Sequence, residues 1–414
     1  MPLALLAAYM YAGLMQRFRG LTPSLAAGSR DILTYQMAGE KILSGAVPYR
    51  DFFIEYPPGS LPFFVPPAIF SQGPASYATL FASEMALLLV ASLVLTALSA
   101  RALGLPWLLA AMVFVGATIL LNPVAVTRYD AVVSFTVAVA VALAARSRRA
   151  GAASSLALAA AWVSLGVGTA AKLVPALAGP PLALLAARLG GWRRFVGGSA
   201  IFAFVVAAFF VPAALLGGGG LLKSFAYHAE RGLQVESVAA SVLMKLGYAE
   251  RVVYEFGAFD VLGPGFGFWS SMSLPITGAL VVVTAAVMYR EHLVGRFGPA
   301  SVPRYGAAFV LAFMIGSKVL SPQYMLWLLP LIPLCAGGLW LLGAAGLYLG
   351  ACWTTSKIFP EHYERLLSMD ASAVNLLLER NLILVVLWVL LLVLPPEAGE
   401  GRKTAYGEPG RAAS

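Results

Sequence analysis

Asp31, Glu40, Asp51 and Glu55 fall within one proline-punctuated stretch, DILTYQMAGEKILSGAVPYRDFFIEYPP, which also carries Tyr35, Tyr49 and Tyr56. Apolar segments flank it on both sides, and the stretch itself is too polar to cross a bilayer. Carboxylates can take up and release protons, so a surface stretch rich in them is the first place to look for chemistry. Gly45, Pro48 and the Pro57-Pro58 pair read as turn punctuation, because proline fixes φ and biases its predecessor toward extended geometry. DILTYQMAGEKIL is the best candidate for a short surface helix, on which Asp31 and Tyr35 share a face at i, i+4. Asp31 and Ser29 are both candidates to cap it. Taken singly, any of these carboxylates reads equally well as a solvated loop charge; what distinguishes Asp31 is its place just beyond the first apolar segment.

Two further groups could meet an anion. In SFAYHAERGLQVES, His228 and Arg231 stand at i, i+3, and the planar fork of arginine suits a phosphate. Glu230 or Glu236 could instead satisfy Arg231, and Gln234 lies between them. The third group is dispersed: Arg128 and Asp130 open one apolar segment, Lys172 ends another, and Lys318 precedes Ser321-Pro322-Gln323-Tyr324. Asp130 is the simplest counter-ion for Arg128. Long charged side chains at helix mouths snorkel, whereas a charge at the bilayer centre costs roughly 2.5–3.5 kcal/mol. These cations therefore read as the lining of a hydrated cavity near the surface, suited to an anionic ligand held in the membrane.

The elements that position these groups follow from composition. Hydrophobic residues make up 60% of the 414 and charged residues 11%, against roughly a quarter charged in soluble domains. Apolar runs close to the roughly 20 residues needed to span recur at 2–16, 75–99, 106–123, 130–146, 153–171, 174–188, 196–216, 268–289, 305–319, 324–337, 338–354 and 374–394. Their continuous apolar character excludes the alternating pattern of a closed β-barrel. The expected fold is all-α, a polytopic transmembrane bundle of about twelve helices (range about 10–13), since each apolar run supplies one. The shorter runs, 174–188 and 324–337, would need a thinned bilayer or a partly re-entrant path.

The net charge of +9 does not point to nucleic acid, because the basic residues form no patch with interleaved aromatics. Arg101, Arg146, Arg148, Arg149, Arg188, Arg193, Arg194, Arg290, Arg296 and Arg304 occupy short loops two apolar segments apart, opposed there by Glu291 alone. By the positive-inside rule these loops are cytoplasmic, and so are both termini. The same topology brings every polar cluster described above to the external ends of the helices. It gives one membrane domain over 1–395, with external loops at 17–74 and 217–268, and a polar C-terminal tail, 396–414, that reads as disordered. Residues 2–15 lack a basic n-region and a cleavage site and read as a membrane helix, short at its start as a truncated or misassigned N-terminus would make it. Cys335 and Cys352 lie in apolar segments without metal-ligand spacing and read as small core residues. No metal site and no cofactor are expected.

The strings D-x-x-x-Y, G-x-x-P-Y-R-D-F, E-Y-P-P, RYD, AAKLVPAL, YHAERGLQVES and SKVLSPQYMLWLLPL, in that order over roughly residues 10–330, together resemble glycosyltransferase family 87. These are bacterial polyprenyl-phosphate-sugar-dependent enzymes of the GT-C superfamily, mannosyl- and arabinosyltransferases among them. The resemblance implies a GT-C bundle in the bacterial plasma membrane, active at its outer face, that transfers mannose or arabinofuranose from a polyprenyl-phosphate donor to a lipid or glycan acceptor with inversion. It implies Asp31 as general base, with Asp51 and Glu55 as competitors for that role. His228, Arg231, Lys318, Lys172 and Arg128 become candidates for the donor phosphate. Tyr35, Tyr49, Asp51, Glu55, Tyr56, Glu236, Gln323 and Tyr324 become candidates for sugar or acceptor contacts, although the three tyrosines of the first loop also fit an interfacial aromatic belt. A flippase or a lipid-glycan ligase would grip a polyprenyl phosphate from the same side. The carboxylate-rich first loop lacks a purpose in a flippase, and a ligase would want a long acceptor-polymer loop.

Overall fold

The structure is a computed structural model that describes residues 1–20, 30–147 and 151–394. Ser29, Arg148, Arg149 and the tail 396–414 lie outside the described residues. The bundle comprises α1 (Pro2–Arg19), a surface helix α2 (Arg30–Leu43), α3 (Pro74–Leu103), α4 (Trp107–Leu120), α5 (Ala131–Arg146), α6 (Ala152–Ala171) and α7 (Gly179–Gly217). It continues with α8 (Gly219–Ala229), α9 (Val238–Lys245), a hairpin of β1 (Arg251–Glu255) and β2 (Ala258–Leu262), α10 (Phe266–Leu293), α11 (Ser301–Gly316), α12 (Gly338–Ser356) and α13 (Ala371–Val393). Five segments, within 74–103, 152–171, 174–217, 266–293 and 371–393, are long and apolar enough to cross a membrane. This is a multi-pass, helical membrane protein.

The apolar runs form helices, except that 174–188 opens with a 3-10 turn over Val174–Ala178 and 324–337 is not a continuous helix. The runs 174–188 and 196–216 lie on the two arms of α7, which is not one rod. Gly179 and Gly198 both abut the Trp162 ring, and a straight helix would hold them roughly 28 Å apart. The chain reverses at Gly190-Gly191, where Gly191 takes φ 67°, a conformation glycine adopts without steric cost. The run 324–337 forms short 3-10 turns, Pro322–Leu328 and Ile332–Leu334, because Pro322, Pro330 and Pro333 remove backbone donors that a continuous helix requires. Its orphaned carbonyls find side-chain donors: Ser134 Oγ to Leu326 at 2.5 Å and Tyr348 Oη to Met325 at 2.8 Å. An apolar medium leaves no other way to satisfy them.

Side-chain contacts sort the connections to two ends. At one end Arg188 donates to the carbonyls of Gly295 and Phe297, Arg194 to that of Gly151, and Arg304 to that of Leu394 and to Glu291. These are the basic loops expected on one side of the membrane. The other end gathers the segment 30–73, the tips around 121–130 and 172–178, and the segment 218–265. That last segment, expected as a loop, is folded: Leu233, Val235, Val261 and Phe266 share a small buried cluster with Leu366, Val374 and Leu377. The hairpin it contains pairs Arg251 with Leu262 through Glu255 with Ala258, and is the one sheet among the described residues.

A close approach fixes the first external segment against the bundle. A Cβ on Gly59 would lie 2.5 Å from the backbone carbon of Ala170, so glycine lets the turn Pro58–Phe63 touch the end of α6. Lys172 follows directly.

Candidate functional site

At the end of the bundle that carries the polar segments is a cavity of about 870 Å³. Its walls come from α2, residues 53–57, the Arg128–Asp130 turn, Lys172–Val174, the stretch from Ser224 to Glu236, the hairpin, residues 317–324 and the turn holding Phe359 and Tyr363. Three cations of that wall, Arg128, Lys172 and Arg231, are each paired with a carboxylate.

Asp31 stands in the first turn of α2, whose buried face is Ile32, Tyr35, Gln36 and Gly39, an i, i+3, i+4, i+7 stripe. Its Oδ2 lies 2.8 Å from Arg128 Nη2, and its Oδ1 accepts from Tyr56 Oη at 3.1 Å. The Asp31 side chain remains 33% exposed and that of Arg128 17%. Burial pushes the phenols of Tyr35 and Tyr56 well above their ordinary range, so Tyr56 stays a donor. Tyr35 stacks on Phe64 at 4.5 Å between ring centres, and Tyr56 meets Tyr129 edge-on at 5.2 Å. These two tyrosines thus form an internal aromatic bed beneath Asp31 rather than an interfacial belt.

Asp130 does not neutralise Arg128, contrary to the simplest reading of their spacing. It is 1% exposed and pairs with Lys172, whose Nζ is 2.7 Å from Oδ1. Trp327 Nε1 donates to the same oxygen at 2.6 Å. The Lys172 ammonium is boxed by aromatic faces, 4.8 Å from the ring centre of Tyr129, 5.4 Å from Trp327 and 5.9 Å from Tyr324, and each contributes cation–π attraction. Tyr324 stacks on Trp327 at 3.8 Å. Gln323 also lines the cavity.

Arg231 likewise does not pair with Glu230 or Glu236. Its Nη2 donates to Glu55 at 2.8 Å and its Nε to the Phe256 carbonyl at 2.8 Å, which ties the hairpin tip to the first external segment. Desolvation raises the Glu55 carboxyl, with Arg231 opposing. His228 bonds the Glu55 carbonyl through Nε2 at 2.9 Å. Burial and the nearby Arg231 push its imidazole down to about 4, so at neutral pH it offers a lone pair on Nδ1 rather than a positive charge. Lys318 donates to the carbonyls of Ala229 and Arg231 at 2.7 and 2.6 Å. It clips two wall segments together, and burial lowers its ammonium.

Asp51 and Tyr49 do not line the cavity. Asp51 accepts from Arg50 and from the Val47 amide, each at 2.8 Å, and these bonds hold its carboxyl down to about 2. Tyr49 is buried and donates to the Tyr56 carbonyl at 2.7 Å. Both shape the turn that carries Glu55 and Tyr56. Glu236 does line it, beside Tyr363 and Phe359, two residues from a part of the chain where sequence offered no motif. Trp327 and Tyr129 could have been found, since each sits inside a string already singled out. Among the described residues no three His, Cys, Asp or Glu side chains gather as a metal site would require.

The sequence profile of glycosyltransferase family 87 matches residues 53–322. No curated protein matches the chain. Among solved structures, the crystal structure of ArnT from Cupriavidus metallidurans bound to undecaprenyl phosphate superposes with a TM-score of 0.51 at 16% identity, covering 94% of this chain and 76% of that one. At that identity the likeness establishes the fold, a GT-C bundle.

Proposed function

The chain belongs to glycosyltransferase family 87, and from that membership we propose that it moves a sugar from a polyprenyl-phosphate donor to a lipid or glycan acceptor at the outer face of a bacterial plasma membrane. The observation that carries this reading is the position of Asp31: a part-exposed carboxylate shares one cavity with Arg128, Lys172 and Arg231. The undecaprenyl phosphate in the ArnT crystal supports a polyprenyl carrier here.

In the proposed reaction an acceptor hydroxyl approaches Asp31 and attacks the anomeric carbon of the donor sugar. Asp31 takes the hydroxyl proton as the new C–O bond forms. The bond from the anomeric carbon to the phosphate oxygen breaks, its electron pair leaving with the polyprenyl phosphate, and the configuration inverts. General-base help of this kind contributes roughly 10²–10⁴-fold. The departing phosphate gains negative charge and needs cations rather than a proton. Arg128, Lys172 and Arg231 are suited to that task. The neutral His228 and the carbonyl-bound Lys318 support the wall instead. Among the competing carboxylates, Asp51 is outside the cavity, and Glu55 is the less exposed of the two arginine-paired acids in its wall, 19% against 33% for Asp31, which favours Asp31.

Mannose and arabinofuranose remain the two sugars to try. The purified protein in lipid vesicles, given radiolabelled mannosyl- and arabinofuranosyl-phosphate polyprenols with a glycolipid acceptor extract, is expected to release polyprenyl phosphate and form an inverted glycoside. Failure to bind any polyprenyl phosphate would overturn the reading.

A further inference from the structure

A second region of the cavity wall contains a carboxylate that the transfer step above does not use. Glu236 precedes Ser237, whose hydroxyl caps α9 by accepting from the Ala240 amide. Its backbone is held from α13: Arg380 Nη2 donates to the Glu236 carbonyl at 2.8 Å, while the Asn381 amide reaches that carbonyl and that of Ser237 at 3.3 Å and Ser241 Oγ at 2.9 Å. The main chain is therefore pinned to α13, and the residue forms part of the cavity lining.

The side chain is left unsatisfied. Glu236 is 1% exposed and Arg380 0%, and their nearest charged atoms, Oε2 and Nη1, are 3.6 Å apart, beyond hydrogen-bond distance. Among the described residues neither Glu236 oxygen has a hydrogen bond of normal geometry, nor do Nε and Nη1 of Arg380. Burying a charge without hydrogen bonds is costly, and buried polar atoms in native sites find partners. The Gln234 amide acts on this carboxyl without a hydrogen bond of normal geometry to either oxygen, so a donor brought into the cavity would supply the missing partner.

The chemistry of the site narrows what that is. A phosphate is repelled by the carboxylate. An isoprenoid chain cannot hydrogen-bond and would leave the deficit in place. A cation gains little, because Arg380 already balances the charge. A neutral hydroxyl donates to the carboxylate without altering the balance. Tyr363, Phe359 and Tyr324 line the same cavity, and aromatic faces of this kind pack against the C–H face of a sugar ring. Burial pushes the Glu236 carboxyl up to about 7, with Arg380 and Gln234 opposing, so near neutral pH it can accept from one hydroxyl or donate to another.

We propose that Glu236, positioned by Arg380, is the hydroxyl-reading residue of the cavity and accepts a hydrogen bond from a sugar ring resting against Tyr363 and Phe359. The inference rests on the sugar-transfer reading. Two sources supply the same chemistry, the sugar of the donor and a sugar of the acceptor, and two arms of one experiment separate them.

Full-length protein in lipid nanodiscs is titrated with undecaprenyl phosphate and with its mannosyl and arabinofuranosyl forms; acceptor KM is then measured with whichever donor turns over. Hydrogen bonds to charged groups imply that Glu236→Ala weakens the glycosylated lipid, or raises acceptor KM, about ten- to a hundredfold, while sugar-free undecaprenyl phosphate binds as in the wild type. A change in the first arm assigns the donor sugar, and one in the second assigns the acceptor. Glu236→Gln, which keeps shape and removes the charge, shifts the same arm by a smaller factor and serves if the alanine variant fails to fold. If folded variants leave both arms unchanged, or lose sugar-free lipid equally, the inference is wrong and an ordered water satisfies the pair. A wild type that binds undecaprenyl phosphate yet prefers neither glycosylated form and transfers neither sugar overturns the inference together with those sugars. One that binds no undecaprenyl phosphate overturns the polyprenyl-donor reading instead.

Discussion

Asp31 and Arg128 form an ion pair at 2.8 Å although one opens a surface helix and the other precedes a helix of the bundle. That pair joins the two halves of the proposed chemistry, because the proposed base and a cation proposed to meet the donor phosphate hold one another in place. Tyr56 completes the grip on Asp31 through the second carboxylate oxygen. The arrangement holds a part-exposed carboxylate at a cavity whose wall also carries the ion-paired Lys172 and Arg231.

Asp130 and Lys172 are coupled differently, since the carboxylate is almost fully buried. Lys172→Met leaves Asp130 as an uncompensated buried charge, which costs about 3–5 kcal/mol, and a clear fall in thermal midpoint is expected. Lys172→Met combined with Asp130→Asn restores most of the stability, because the amide oxygen still accepts from Trp327. Donor affinity stays low in the double variant. Recovery of affinity along with stability would remove Lys172 from phosphate binding.

Lys318 and Arg231 should separate in the same assay. Arg231→Ala is expected to weaken polyprenyl phosphate binding about tenfold or more, the scale of a lost charge-assisted hydrogen bond. Lys318→Met breaks its bonds to the carbonyls of Ala229 and Arg231, so it lowers the thermal midpoint while the folded fraction binds lipid with near-normal affinity.

His228 sets a pH dependence with a definite sign. Its folded value lies near 4 against an ordinary 6.5, so between those limits the unfolded chain binds the extra proton. Stability therefore falls as pH drops from 6.5 toward 4 and is insensitive to this group above 6.5. Thermal unfolding of wild type and His228→Asn across pH 4–8 checks this: the variant should show the flatter profile on the acid side.

Gly59→Ala tests the contact that seats the first external segment on α6. The added methyl would meet the Ala170 backbone at 2.5 Å, and backbone cannot yield as a side-chain tip can. Loss of stability by roughly 1–3 kcal/mol, the range for overpacking, with reduced donor binding is expected in detergent.

Much of this was legible in the sequence, for physical reasons. Apolar runs of spanning length are forced by the hydrocarbon, and helices follow from them without knowledge of their packing. The helix at Arg30–Leu43 was legible as DILTYQMAGEKIL, the part of the first polar stretch that precedes the turn residues Gly45 and Pro48. Pairings were less legible, because spacing along the chain says little about which wall a side chain faces. Arg128 and Asp130 look like natural partners, yet the turn between them sends one to Asp31 and the other to Lys172 and Trp327. Arg231 has acids nearby in sequence and finds Glu55 instead. Tyr363 and Arg380 carried no signal at all, since their place is set by the packing of α12 and α13. The three prolines of 322–333 were a signal that an apolar count passes over.

The most direct measurement is sugar transfer by Asp31→Asn beside its binding of undecaprenyl phosphate, both in lipid vesicles. Transfer should fall by about 10²–10⁴-fold while the lipid binds at least as tightly as to the wild type, since the phosphate-facing cations remain. Transfer at the wild-type rate in that variant would contradict the assignment of Asp31 as the base.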